Sequence, residues 1–276
     1  MKTRLITGVI LLLIFVPLFV IGGLVFDITL LVLSMAGTWE LSRMYRKGTE
    51  KPVWLTGVEV LFSGGLFYLI KGFYQGEPYI EGIFYIIILM FIIASLFSIF
   101  IEVFSSKELG NFFISILYPA LGFGALAGLR SFNDGLLVIG FLFMITIMTD
   151  VFAYVVGVNF GKHRLAVKIS PKKSVEGSIG GTFFAILFTV LYVYLVKLEM
   201  IDTLTLNVFI TIGLIFVISI MGQMGDLVAS KLKRDCGIKD YSNLFPGHGG
   251  VMDRFDSAIF AAMILMLIIK VVALWI

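Results

Sequence analysis

Nine apolar runs, each close to the length of a membrane span, constrain this chain more than any other feature. They cover roughly residues 5–21, 24–41, 53–70, 80–101, 111–129, 136–157, 179–197, 207–227 and 257–275. A helix needs about 20 mostly apolar residues to cross the hydrocarbon core of a bilayer. Composition agrees: 59% of the 276 residues are hydrophobic and 14% are charged. Soluble domains run nearer half apolar and a quarter charged. The mean hydropathy of +1.06 points the same way. The expected fold is therefore an all-α integral membrane protein: a polytopic bundle of about nine transmembrane helices in a single membrane domain, residues 1–276. The first run is too long for a signal-peptide core and no small-residue cleavage site follows it, so it is expected to stay as the first span. Gly22-Gly23 makes the first hairpin tight, and the single cysteine excludes an internal disulfide. No internal repeat, low-complexity tract or long soluble extension interrupts the pattern.

Orientation follows from the lysines and arginines of the connections. With the N-terminus in the cytoplasm, the connections 42–52, 102–110, 158–178 and 228–256 are cytoplasmic too, and with Lys2 and Arg4 they hold 17 of the 21 basic residues. The other side keeps Lys71, Arg130, Lys197 and Lys270. A formal charge of +3 understates how basic that one face is. For residues 42–52 topology and attraction to anionic lipid suffice as an explanation.

The longest polar run is Ser230–Asp256, with five basic residues, four aspartates, His248 and Cys236. Apolar runs of spanning length lie on both sides, and solvation gives no reason for such mixed charge in one connection. It contains Ser230, Lys233-Arg234, Lys239-Asp240, His248-Gly249-Gly250 and Asp253-Arg254-Phe255-Asp256. This spacing resembles, at every position, the signature of the phosphatidate cytidylyltransferases, or CDP-diacylglycerol synthases. The resemblance covers about a tenth of the chain, and the polar run 228–256 is the expected cytoplasmic signature loop.

Three carboxylates stand at the edges of the last two apolar runs. Asp226 closes the eighth, and a carboxylate there needs a partner or a function. If the helix continues, Asp226, Ser230, Lys233 and Arg234 share one face. Asp253 and Asp256 stand three residues apart where the ninth span begins. Helix capping explains them as well as catalysis does, Asp256 especially. Together the three suggest a site for a hard divalent cation. Magnesium prefers one or two carboxylates, retained waters and substrate phosphates. The required geometry is convergence of Asp226 and Asp253.

Two further segments carry candidates. Pro246-Gly-His-Gly-Gly250 is a backbone-rich turn suited to an anion, although such clusters are often mere turns. His248 fits a phosphate contact or a structural bond better than a general base. Ser170-Pro-Lys-Lys-Ser-Val-Glu-Gly177 is similar to a second segment of the same family, with Ser174 where threonine is more usual. Lys172 and Lys173 are suited to phosphates, or only mark topology; Ser178, Gly180 and Gly181 permit close helix packing or ligand approach. Asp150 lies deep in the sixth run with Tyr154 one turn on. A structural hydrogen bond between helices would explain Asp150 too.

The resemblance implies that CTP and phosphatidate are converted to CDP-diacylglycerol and pyrophosphate, with Mg2+ as cofactor and a second cation at the same site left open. It implies catalytic roles for Asp226, Asp253, Lys233, Arg234, Lys239 and Lys173. Lys172, Ser230, Asp240, His248, Gly249, Gly250, Arg254 and Asp150 would bind substrate, and Asp226, Asp253 and Asp256 the metal. The expected partners are CTP, phosphatidate and membrane lipids, with a homodimer left open and nucleic acid not expected. The expected location is a bacterial inner membrane with the site facing the cytoplasm. Two rival classes stand beside this reading. One is a CTP-dependent polyprenol or lipid kinase, which would release CDP rather than pyrophosphate. The other is a transporter built on the glycine-interrupted eighth run. Against it, the charges sit at the membrane edge and no matching interruption occurs elsewhere.

Overall fold

The structure is a computed structural model. It describes residues 2–47, 49–198 and 207–273, of which 2–6 and 12 are described in backbone only. Lys2 and Arg4 are therefore without described side chains, and the last two residues of the ninth predicted run lie outside the described residues.

All nine runs are helical: α1 Lys2–Ile21, α2 Gly23–Arg46, α3 Val53–Tyr74, α4 Ile80–Phe100, α5 Ser106–Arg130, α6 Gly135–Phe160, α7 Val175–Val196, α8 Val208–Asp235 and α9 Met252–Ala273. Eight of them are long and apolar enough to cross a membrane, while α1 carries a shorter apolar stretch, Thr7–Ile21. The chain is a multi-pass, all-α membrane protein. Several helices outrun their apolar stretches, most clearly α8, which continues to Asp235. Lysine and arginine are good helix formers, so a helix leaving the hydrocarbon has no reason to stop where hydropathy falls. The polar run 228–256 is thus helical at both ends, and its non-helical part is only 236–251. A short antiparallel hairpin, β1 Arg164–Ala166 with β2 Ser170–Ser174, precedes α7.

The described residues form two compact units. The first holds residues 1–131 and 235–255. Its core helix is α5, in which every residue from Gly122 to Leu129 is buried. Phe104 and Phe112 meet edge to face 6.2 Å apart beside Leu66, Met90 and Ile116. Hydroxyl pairs tie α2 to α3, Ser34 to Ser63 at 3.0 Å and Ser42 to Thr56 at 2.8 Å. Lys71 and Asp27 join the same helices by an ion pair at 2.5 Å. By contrast α4 leaves Phe84, Phe91, Ile99 and Phe100 exposed, the surface that lipid tails would cover. The α1–α2 turn needs its glycines: Gly22 has φ +64° and Gly23 +57°. Arg130 fills the space a Gly22 side chain would take, and its guanidinium donates to the carbonyls of Phe19 and Val20 at 3.0 and 3.3 Å.

The second unit holds residues 132–234 and 256–276. Helices α6 and α7 approach closely along small residues. A side chain on Gly181 would meet the Thr149 carbonyl, and one on Gly177 the Ala153 carbonyl. Of the two uses expected for the glycines after Ser178, helix packing is the one they serve here. Thr149, Thr182, Ser219 and Gln223 then form a buried polar chain across α6, α7 and α8, with links of 2.8–3.0 Å.

Candidate active site

Asp150 of α6, Lys172 and Lys173 of the hairpin, Ser178 of α7 and Asp226 of α8 line one cavity of about 630 Å³ in the second unit. Asp150, Lys172, Lys173 and Asp226, expected from three separate segments of the sequence to meet the substrates, thus share one space. The hairpin achieves this by folding the lysines back from the start of α7. Glu176 fastens its base, accepting from the backbone N–H groups of Lys162 and His163 at 3.1 Å and pairing with the His163 ring at 2.5 Å. Ser174 caps α7 by accepting from the Gly177 N–H at 3.1 Å. Glu176 and Ser174 are therefore structural, and the lysines they present carry the charge. Lys173 forms an ion pair with Asp226. Lys172 forms no ion pair among the described residues. Asp150 and Tyr154, one turn apart, both line the cavity, with no hydrogen bond between them among the described residues.

The face predicted on α8 is present, with the Ser230 hydroxyl donating to Asp226 Oδ1 at 3.3 Å. Asp226 lies within electrostatic range of both Asp150 and Asp256. The close approach of α9 depends on Gly225, where a side chain would strike Phe260 and the Asp256 carbonyl. Asp256 is buried, and Lys233, 7% exposed, is the cation nearest to balancing it. Lys233 thus serves a protein carboxylate, whereas Arg234 on the same turn is exposed. Asp150, Asp226 and Asp256, three carboxylates with only Lys173 and Lys233 among them, form an arrangement that a divalent cation would relieve. Among the described residues no three His, Cys, Asp or Glu side chains form a finished metal cage. An ion of magnesium's habits does not need one.

In the first unit the His-Gly-Gly turn is held by two carboxylates. Asp253 Oδ2 accepts from the N–H groups of Gly250 at 2.9 Å and Tyr241 at 2.8 Å. Glu40, on α2, accepts from the Ser242 hydroxyl at 2.6 Å and from the N–H groups of Val251 and Met252 at 2.9 and 3.0 Å. The two glycines make room for these acids. Gly249, at φ +86°, lies against Asp253, and a side chain on Gly250 would collide with the Glu40 carboxylate. The N–H groups of His248 and Gly249 both donate to the Phe245 carbonyl. Every amide from His248 to Met252 therefore already has an acceptor within the chain, which leaves none of them idle for the phosphate cradle expected there. His248 Nδ1 is buried without a hydrogen-bond partner among the described residues.

Lys239 and Asp240 line a second cavity in this unit, of about 1030 Å³, together with Trp39, Arg43, Arg46 and Lys47. Arg43 stacks over Trp39, 5.1 Å from the ring centroid. Three of the four basic residues of 42–52 therefore share a space with part of the signature, which topology alone does not require. Arg254 is exposed on the first turn of α9. Asp226 and Asp253 belong to different units.

Sequence reasoning overlooked Glu40, Gln223 and Arg164. Glu40 carried a signal, being with Asp27 one of two carboxylates within an apolar run, but its place near the end of that run reads as an ordinary helix-end charge. Gln223 is buried and donates to Thr182 at 3.0 Å, and it lines the first cavity with Arg164. No pattern marks either one.

The cytidylyltransferase family model matches residues 2–272. The phosphatidate cytidylyltransferase of Staphylococcus aureus (strain COL) is 35% identical over 263 residues, covering 94% of this chain and 95% of the relative. That of Staphylococcus haemolyticus (strain JCSC1435) is 32% identical over 262 residues, and that of Staphylococcus epidermidis (strain ATCC 12228 / FDA PCI 1200) 33% over 262, with the same coverage. The likeness is thus not confined to the signature but runs through all nine helices, and the chain belongs to the cytidylyltransferase family.

Proposed function

We propose that this protein joins CTP to phosphatidate, giving CDP-diacylglycerol and pyrophosphate. The observation that carries the reading is the cavity in which Asp150, Asp226, Lys172 and Lys173 meet at the end of membrane-spanning helices. Both substrates are anionic, so the first requirement is relief of charge repulsion. The remainder is positioning and electrostatic stabilisation. A phosphate oxygen of phosphatidate attacks the α-phosphorus of CTP. The bond from that phosphorus to the bridging oxygen of the β-phosphate breaks, and pyrophosphate leaves with the electron pair. A phosphate monoester is already a competent nucleophile near neutral pH, so the site needs no strong base. Its acids, lysines and arginines suit such a reaction.

In this reading Lys172 binds a substrate phosphate, and Lys173 passes between Asp226 and the phosphates as they enter. Lys239, Arg234 and Arg254 are the remaining cations offered to phosphate oxygens. Asp226 and Asp256 would hold Mg2+, which supplies charge neutralisation on the triphosphate when bound. The acyl chains stay in the bilayer, and CTP arrives from the cytoplasm of a bacterial cell. The test uses purified protein and CTP labelled on its α-phosphate. Label should enter a chloroform-soluble product only with phosphatidate and magnesium both present. Label appearing in CDP beside a newly phosphorylated lipid would instead support a kinase.

A further inference from the structure

We infer that Glu40 is the residue that positions the signature turn for catalysis. The inference rests on the cytidylyl-transfer reading and adds to it a residue outside the signature. Glu40 lies on α2, about 200 residues from the segment it holds, and is 1% exposed. Burying a carboxylate is costly unless its oxygens are satisfied by hydrogen bonds. Here Oε1 accepts from Ser242 and Val251, and Oε2 accepts from Met252. The last two donors are N–H groups at the start of α9, where a negative charge is also favoured by the helix dipole.

These bonds fix both ends of the segment that bears the functional groups. Ser242 follows Lys239 and Asp240, while Val251 and Met252 lead directly into Asp253 and Arg254. Asp253 completes the clamp from within, through Gly250 and Tyr241. Ordinary packing would hold such a turn with apolar contacts. A fully buried acid with three donors specifies one backbone position instead, because any shift leaves an unpaired polar group in the interior. Gly250 is the counterpart of this arrangement: no other residue lets the carboxylate approach the backbone so closely. Glu40 is accordingly a positioning residue and not a catalytic one.

Glu40→Gln tests this with almost no change of shape. The amide –NH2 of glutamine is a donor, and it would face an N–H or O–H donor in place of an acceptor. A displacement of order 1 Å can cost about 100-fold in rate, and a kcat loss of about that size is expected. KM for CTP and phosphatidate should change less than about threefold, as when an interaction acts only in the transition state. A second readout needs no turnover. Cys236 is the only cysteine and lies at the start of the same segment, partly buried. Its labelling by a maleimide should accelerate severalfold in Glu40→Gln, while the melting temperature of the whole protein stays within a few degrees of the parent. Ser242→Ala removes a single bond and should move both readouts the same way by less. If Glu40→Gln does not fold, Ser242→Ala decides, and parental kcat and labelling in it overturn the inference. Unchanged kcat per folded molecule in Glu40→Gln, or lost turnover with unchanged Cys236 labelling, overturns it too. If the parent protein makes no CDP-diacylglycerol, the functional reading fails, and the labelling rates alone decide whether Glu40 holds the turn.

Discussion

Asp226 is held by several relations at once. It pairs with Lys173, accepts from Ser230 and feels Asp150 and Asp256. Replacing it with asparagine keeps the shape and removes the charge. Asp226→Asn and Asp256→Asn are each expected to lower kcat about 10²- to 10³-fold, as loss of one preorganised electrostatic group does elsewhere. If both serve one cation, the double variant should be hardly worse than either single, since groups acting as a unit are non-additive. Near-normal magnesium-dependent turnover in either single would sink the metal assignment. The two lysines should separate. Lys173→Ala removes the partner of Asp226 and is expected to lower kcat, whereas Lys172→Ala should raise KM for CTP or phosphatidate about tenfold with a smaller effect on kcat. Steady-state kinetics on protein of equal folded content distinguishes the two. The sequence alone exposes Asp226 and the lysines because ionisable groups at a membrane edge are conspicuous, and Asp150 because one deep within an apolar run is more so. It hides Glu40 because nothing in Trp39-Glu40-Leu41 tells which backbone, two hundred residues on, will need an acceptor.

Hydrophobic length makes the helices legible in advance, and all nine are where the apolar runs place them. The ends and the connections are less legible. Strands of three and five residues in a polar connection have no alternation to read, so the hairpin that delivers Lys172 and Lys173 leaves no signal. The continuation of α8 to Asp235 is set by propensity and tertiary contact rather than by hydropathy. Close packing of α8 on α9 is likewise invisible until the structure shows what each glycine touches. Two glycines of α8 turn this into a prediction. Gly225 faces Phe260 and the Asp256 carbonyl, whereas Gly213 has nothing within 4 Å. Gly225→Val is expected to force α9 away at a cost of about 1–3 kcal/mol, the usual range for overpacking. Activity should fall although no functional group is removed. Gly213→Ala should leave turnover unchanged and raise stability by up to about 1 kcal/mol, as helix propensity requires. Melting temperature and kcat measured on both variants check the contrast; equal effects would remove α8–α9 packing from the account of the site.

For the whole molecule the open quantity is sidedness, and the lysine and arginine bias supplies the expectation. With nine spans and a cytoplasmic N-terminus, the segment holding Cys236 faces the cytoplasm together with 17 of the 21 basic residues. An error of one span would change the parity and scatter that bias over both sides. Cys236 is a natural reporter because it is the only cysteine. Its reactivity must be allowed for, however. Burial raises the thiol pKa above its ordinary value, and the nearby Lys51 and Lys107 only partly offset this. Since the thiolate is the reacting form, labelling at neutral pH should be slower than for a free thiol. Below the pKa it should accelerate about tenfold per pH unit. A membrane-impermeant maleimide is therefore expected to label inverted vesicles at a rate that climbs with pH. Cells sealed at the inner membrane should remain unlabelled at the same pH. The pH series separates a slow but accessible thiol from one on the wrong side, because only the former gains with pH. Labelling of sealed cells from outside, rising in the same way, would overturn the cytoplasmic placement and with it the route by which CTP reaches the site.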